Sequence, residues 1–329
     1  MTAYRKMLFQ LLIIFTLCNF ESIAQSVPGT ATNDSTVIHL ADPTIFHYKK
    51  SYYLYGTVEG ASGNGFLVYT SSNLKSWKLS DRNDGYALKK GDAFGTSGFW
   101  APQVFFHKNK YYMAYVANEN IAIAESDNPL GPFAQTKKEP LVAPVKQIDP
   151  FIFIDDDGKK YLYHVRLTNG NRIFVAEMTD DLSAIKPETL HECIVAAELW
   201  ENTTKASWPV AEGPSVLRHK NLYYLFYTAN DFRNPDYAVG YATSNSPLGP
   251  WKKYTGNPII YKKLIGQNGT GHGDFFRDKK KLFYVFHTHN SEQKVGPRKT
   301  ALIEVRFARN KKGIDYLVIE QKSFQFLKK

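Results

Sequence analysis

Five stretches of this chain repeat one another, and that self-similarity limits what it can fold into more than any other feature. The repeats begin at Asp42, Ala101, Asp149, Gly213 and His272, at intervals of 59, 48, 64 and 59 residues. Each reads as a short apolar strand, a polar turn and a second aromatic strand. The first runs Asp-Pro-Thr-Ile-Phe-His-Tyr-Lys-Lys-Ser-Tyr-Tyr and the fourth Gly-Pro-Ser-Val-Leu-Arg-His-Lys-Asn-Leu-Tyr-Tyr. A period of about 50–60 residues is the length of one four-stranded propeller blade. The segments starting at Phe66, Ile121 and Val239 resemble one another as third strands. Asn-Pro-Leu-Gly-Pro-Phe from Asn128 and Ser-Pro-Leu-Gly-Pro-Trp from Ser246 are near-identical turns following two of them. No stretch sustains a helical period, and proline and glycine punctuate the chain throughout. The expected fold is all-β, a five-bladed β-propeller. No linker divides the chain, which disfavours a pair of β-sandwiches and assigns residues 37–329 to one domain.

Composition agrees. Aromatic residues make up 15% of the 329-residue chain, and Tyr and Phe favour strands. With 43% hydrophobic and 22% charged residues, wholesale disorder is excluded. The net charge is +10, but the lysines lie in short turn-like groups such as Lys49-Lys50 and Lys279-Lys280-Lys281 rather than in one stripe, so no nucleic-acid partner is expected. Residues 1–24 read as a cleaved signal peptide: Arg5 and Lys6, an apolar run from Leu8 to Leu17, then Ser22-Ile23-Ala24. The apolar run is too short to span a bilayer, so no integral membrane span is expected. Residues 25–36 would form an N-terminal extension. Cleavage would remove Cys18 and leave Cys193 alone, without an intrachain disulfide. An exported protein with one thiol suits a bacterial periplasmic or secreted location. A monomer is expected.

Inner strands of a propeller begin together on one face, near the axis. Three of the five starts carry an acid: Asp42, Asp149 and, one residue ahead of its repeat equivalent, Glu212. Singly, Asp-Pro is a common turn starter, and a lone Glu is usually solvated. Matched positions in a radial array point instead to a shared site. Two opposed carboxyls are what glycosidic bond hydrolysis needs, one to protonate the leaving oxygen and one to activate water or attack the anomeric carbon. A third acid would raise the proton affinity of the general acid by like-charge repulsion. Trp77, Trp100, Trp208 and Trp251 are candidate stacking surfaces for sugars.

Asp42-Pro, Trp100-Ala-Pro, Ile148-Asp149-Pro, Glu212-Gly-Pro and Gly271-His272-Gly, in this order and at blade spacing, resemble the successive blade motifs of glycoside hydrolase family 43. The resemblance spans about residues 37–310. It implies inverting hydrolysis with Asp42 as general base, Glu212 as general acid and Asp149 tuning and orienting the acid. Inversion implies a base-to-acid carboxyl gap of roughly 6.5–9.5 Å. The usual substrates would be α-L-arabinofuranosides and β-D-xylosides of plant cell-wall polysaccharides or their oligosaccharides, taken in an exo-acting pocket. Arg298, after Gly296-Pro297, matches the family's late sugar-contacting arginine, with a surface salt bridge as the alternative; Trp100 would wall the sugar pocket or pack between blades, and His272 is a third candidate for substrate contact. His272 also matches the family's axial histidine, which often sits beside a calcium ion or water, and the alternative is a hydrogen-bonded histidine without metal. No cofactor is required for the chemistry.

Asp155-Asp156-Asp157-Gly158 reads as a hairpin turn rather than a calcium loop, and His287 and His289 read as structural. The segment 196–207, with Glu198, Trp200 and Glu201, interrupts the repeat as a candidate rim loop. Residues 314–327 are expected to close the fifth blade. The alternatives are an endo-acting arabinan or galactan hydrolase and a non-catalytic carbohydrate-binding propeller.

Overall fold

The computed structural model describes residues 36–329 apart from 312 and 314, and the expected signal peptide and nearly all of the extension lie outside the described residues. Among the described residues, successive hairpins build five antiparallel blade sheets, with a two-stranded sixth sheet beside the first. Their innermost strands are Ala41–Tyr48, Trp100–His107, Gln147–Ile154, Ala211–His219 and Gly271–Asp278. Each inner strand packs against the next, and the fifth returns to the first, so the ring is closed. In the first blade the expected third strand is split. Tyr69–Ser71 stays in the blade, whereas Gly65–Leu67 leaves to pair with Tyr86–Lys89. In the second blade the fourth strand shrinks to a bridge between Glu125 and Ala134. Among the described residues, helix is confined to single turns such as Lys262–Ile265.

The closing segment lies where the repeat pattern suggests and does more than complete one blade. Asp315–Ile319 and Gln325–Phe326 both pair with Lys299–Arg309 of blade five. Beyond them, Ile38 donates to the Leu327 carbonyl at 2.9 Å, and Thr300 donates to the Ile38 carbonyl. The C-terminal residues thus join the last blade to the segment that leads into the first.

The aromatic content has a packing cause. Five apolar clusters form, one in each wedge between neighbouring blades. Tyr55, Phe66, Met113 and Tyr115 fill the first wedge; Phe105, Ile152 and Leu162 the second; Tyr163, Val175 and Tyr227 the third; Phe226, Tyr284 and Ile303 the fourth; Ile38, Trp77, Val285 and Leu327 the seam. Large flat rings fill wedges between twisted sheets, and a buried phenol needs an acceptor. The two near-identical turns supply one: Tyr55 donates to the Pro129 carbonyl and Tyr163 to the Pro247 carbonyl, each at 2.5 Å. The repeated Pro-Leu-Gly-Pro turn is a docking point between blades. Asp155 to Gly158 is a turn, as expected, with Arg218 and Tyr223 bound to the Asp155 carboxylate.

All five inner strands share one irregularity. Register breaks directly after Ala41, Trp100, Ile148, Glu212 and Gly271. The residue that follows has positive φ in each case: +48° at Asp42, +46° at Ala101, +55° at Asp149, +58° at Gly213 and +42° at His272. Four of these are not glycine, and such conformations cost about 1–3 kcal/mol each and persist only where the surroundings hold them. A bulge also cancels the strict in-out alternation of a strand, so consecutive side chains can face the same side.

Candidate active site

The bulges open onto a cavity of about 580 Å³ at the start of the inner strands. Asp42, Asp149 and His272 line it from the positive-φ position, and Trp100, Ile148 and Glu212 line it from the residue before. Ile148 and Asp149 are adjacent yet both face the cavity. This explains how Glu212, one residue out of step with the other two acids, reaches the same space.

Asp42 is enclosed by donors and cations. Thr57 donates to Oδ2 at 2.7 Å and Arg298 Nη1 to Oδ1 at 3.2 Å. His272 Nδ1 and His287 Nδ1 each lie 3.4 Å from Oδ1. Burial alone would raise its pKa, but Arg298, the two imidazoles and the Thr57 bond together hold the carboxyl well below the usual range. It stays ionised.

Glu212 lies in the opposite environment. Burial and the neighbouring Asp149 push its pKa up to about 7, against the pull of His272, Tyr237 and Asn171. Tyr237 Oη donates to Oε1 at 2.8 Å and Asn171 Nδ2 to Oε2 at 2.9 Å. Asp149 is also pushed up to about 7, by burial and then by Asp42. The two acids titrate as a pair. Asp149 Oδ2 accepts the Gly213 N–H at 3.1 Å, so it grips the peptide that carries Glu212. Gly213 is required there: a Cβ would lie 2.8 Å from Cγ of His272, whose ring rests on this backbone. From that position His272 Nδ1 is 3.4 Å from Asp42 and 3.7 Å from Asp149.

Arg298 is buried rather than a surface ion pair. Its Nε donates to Glu59 Oε1 at 2.7 Å, its backbone N–H also reaches Glu59, and its guanidinium lies 4.6 Å from the Phe232 ring centre. His287, expected to be structural, is fully buried behind the cavity, where it supports Asp42 and Arg298. Its Nε2 is 3.2 Å from Arg298 Nη1, and burial with the nearby guanidinium keeps it neutral. His289 does serve structure, bonded to the Phe232 carbonyl. Glu59, Asn171, Tyr237 and Phe232 escape sequence reasoning, because no spacing relates them to the acids. Of the tryptophans, Trp100 and Trp208 line the cavity, whereas Trp77 is buried in the seam cluster and Trp251 packs on Tyr163.

The segment 196–207 behaves differently from a simple rim loop. Glu201 is fully buried; it accepts from the Ala197 and Glu198 amides at 2.7 Å each, from Tyr227 at 2.5 Å and from Lys253 at 2.6 Å. The loop is anchored through this carboxylate, and only its continuation, Trp208 and Val210, meets the cavity. Removing one member of a buried pair leaves the other uncompensated. Glu201→Ala is therefore expected to lower stability by about 3–5 kcal/mol, read by urea unfolding. A change below about 1 kcal/mol, the range of an exposed pair, would show that the anchor carries little.

Among the described residues, no three His, Cys, Asp or Glu side chains assemble as a metal site. His272 offers one imidazole beside two carboxylates that already have partners, whereas calcium favours several protein oxygens. The residues do not form a calcium shell, and no chemical step is assigned to an ion. No helix of the described residues is long and apolar enough to cross a membrane.

The chain resembles several proteins described as glycoside-cleaving enzymes. The structure described as endo-1,4-β-xylanase from Bacteroides thetaiotaomicron superposes with a TM-score of 0.80 at 42% identity, over 91% of this chain and 99% of that one. A xylosidase/arabinosidase of Bacteroides ovatus is 27% identical over 85% of this chain and 93% of its own length. An extracellular exo-α-(1→5)-L-arabinofuranosidase of Cellvibrio japonicus is 24% identical, covering 77% and 80%. The family model for glycosyl hydrolases family 43 matches residues 36–312. A closed five-bladed ring with carboxyls converging at its axis is thus joined to a family match spanning nearly every described residue, and the chain belongs to glycosyl hydrolase family 43.

Proposed function

We propose that this glycoside hydrolase is an exported, inverting exo-glycosidase that releases α-L-arabinofuranosyl or β-D-xylosyl units from plant polysaccharides or their oligosaccharides. One observation carries the mechanism. Within a single cavity, Asp42 is held ionised while burial and Asp149 push Glu212 up to about 7. Carboxyls whose surroundings drive their proton affinities apart are suited to opposite roles. Asp42 takes a proton from water as it attacks the anomeric carbon, and Glu212 gives its proton to the departing oxygen. Asp149 keeps Glu212 protonated by its charge and orients it through the Gly213 amide. Arg298 and Trp100 contact the sugar.

The Cellvibrio relative's name supports exo action on arabinofuranosides, and the Bacteroides ovatus name supports xyloside or arabinoside substrates. The Bacteroides thetaiotaomicron name favours a second reading, endo-acting cleavage of a β-1,4-xylan chain. Incubation of the purified protein with arabinan, arabinoxylan, xylo-oligosaccharides and galactan separates the two. Free arabinose or xylose, absent with Glu212→Gln, is expected, and proton NMR of the first product should show an inverted anomer. Oligosaccharides without free pentose would establish the endo-acting reading, and a retained anomer would overturn the assigned mechanism.

A further inference from the structure

The cavity mouth contains a hydrogen-bonded chain that the reaction as described does not use. Trp208 is 48% exposed, unusual for so large an apolar side chain, yet it is fixed in place. Its Nε1 donates to Asn171 Oδ1 at 2.9 Å. An indole N–H can only donate, so it selects the carbonyl end of the amide and leaves Nδ2 for the Glu212 carboxyl, at 2.9 Å. The backbone reinforces this. The Asn171 N–H donates to the Pro209 carbonyl at 2.9 Å, and a Cβ on Gly170 would lie 2.5 Å from that same oxygen. The turn of blade three and the loop entering blade four are thereby tied together on either side of the indole.

We propose that Trp208 is the platform for the leaving-group sugar and that Asn171 links it to Glu212 as a positioning residue, so that the ring receiving the departing sugar also orients the group that protonates it. The proposal rests on Glu212 being the general acid. Sugar rings present C–H faces that pack on exposed indoles, and the half-exposed Trp208 lines the same cavity as Glu212. Other groups facing Glu212 are Asp149 from blade three, His272 from blade five and Tyr237 from blade four; Asp42 and Arg298 line the same cavity. Asn171 is the hydrogen-bonded route from the indole to the Glu212 carboxyl.

The test compares Trp208→Phe, which keeps a ring and removes the N–H, with Asn171→Ala and with the double variant. Substrates are a xylo- or arabino-oligosaccharide and a nitrophenyl glycoside, whose leaving group needs little protonation. Donation from Asn171 favours the carboxylate, so weakening it raises the proton affinity of Glu212. Both single variants are expected to shift the alkaline limb of kcat/KM to higher pH. With Trp208→Phe, kcat on the oligosaccharide should fall about tenfold, while kcat on the nitrophenyl glycoside changes by less than about twofold. The double variant should be no worse than Asn171→Ala alone, the mark of one shared pathway. Trp208→Ala should add a KM increase of about tenfold on the oligosaccharide through lost ring contact. An unmoved alkaline limb, equal losses on both substrates, or additive single effects would overturn the link. Full oligosaccharide activity in Glu212→Gln would instead overturn the general-acid assignment, and the link with it.

Discussion

Glu212→Gln is expected to reduce kcat on an unactivated oligosaccharide by about 10³-fold, within the range a positioned general acid contributes. The amide keeps the size of the side chain and can still meet Tyr237 and Asn171, so the fold and the cavity should persist. What disappears is the proton. Loss should therefore track the leaving group: a nitrophenolate departs without help, and its kcat should fall far less than that of a sugar alkoxide. The pH profile gives a second reading. Glu212 must be protonated to act, and burial with Asp149 pushes it up to about 7. Activity should thus be present below about 7 and decline as pH rises through it. The limb belongs to the Asp149–Glu212 pair rather than to one residue. In Glu212→Gln the limb should vanish from the residual activity on the activated substrate. A variant that keeps both its oligosaccharide rate and its alkaline limb would remove Glu212 from the mechanism.

Asp42→Asn should be as damaging, about 10²–10⁴-fold in kcat, but without that dependence on leaving group. Water must be activated whichever group departs, so oligosaccharide and nitrophenyl glycoside should lose rate together. The acid limb carries the sign check. Asp42 must be ionised, and Arg298, His272, His287 and Thr57 hold it well below the usual carboxylate range. Activity should therefore persist on the acidic side through the pH at which an ordinary carboxylate would protonate. The substitution also removes a negative charge that raises Asp149. Asp149 should then ionise at lower pH, visible as a displaced alkaline limb in the residual activity. A loss that depends on the leaving group as it does for Glu212→Gln would contradict the division of roles between the two carboxyls.

The sequence was most readable where physics is local. A strand, a polar turn and an aromatic strand recurring every 48–64 residues leave few options for burying apolar surface except blades. The five starting positions read from the repeat coincide with the five positive-φ residues, because each marks the same bulge. Pro after four of them and Gly after the fifth signal that irregularity in the chain itself. The three acids were legible for the same reason, as polar residues where the pattern brings strand starts to one axis. The placing of His287 against Asp42 and Arg298 was not legible, because period-2 alternation only says which face a side chain takes. It does not say what lies opposite.

The sequence by itself therefore determined the blade number, the all-β class and the candidacy of Asp42, Asp149 and Glu212. Only the tertiary structure decided that Glu59 would clamp Arg298 against Asp42, that Asn171 and Tyr237 would hold Glu212, and that Trp208 rather than Trp77 or Trp251 would face the cavity. It also decided the protonation of the acids, since Asp42 and Asp149 carry similar Asp-Pro signatures yet are driven in opposite directions. The reason is physical. Periodicity is written into neighbouring residues, whereas proton affinity depends on burial and on charges brought together from separate blades, through contacts that no spacing along the chain encodes.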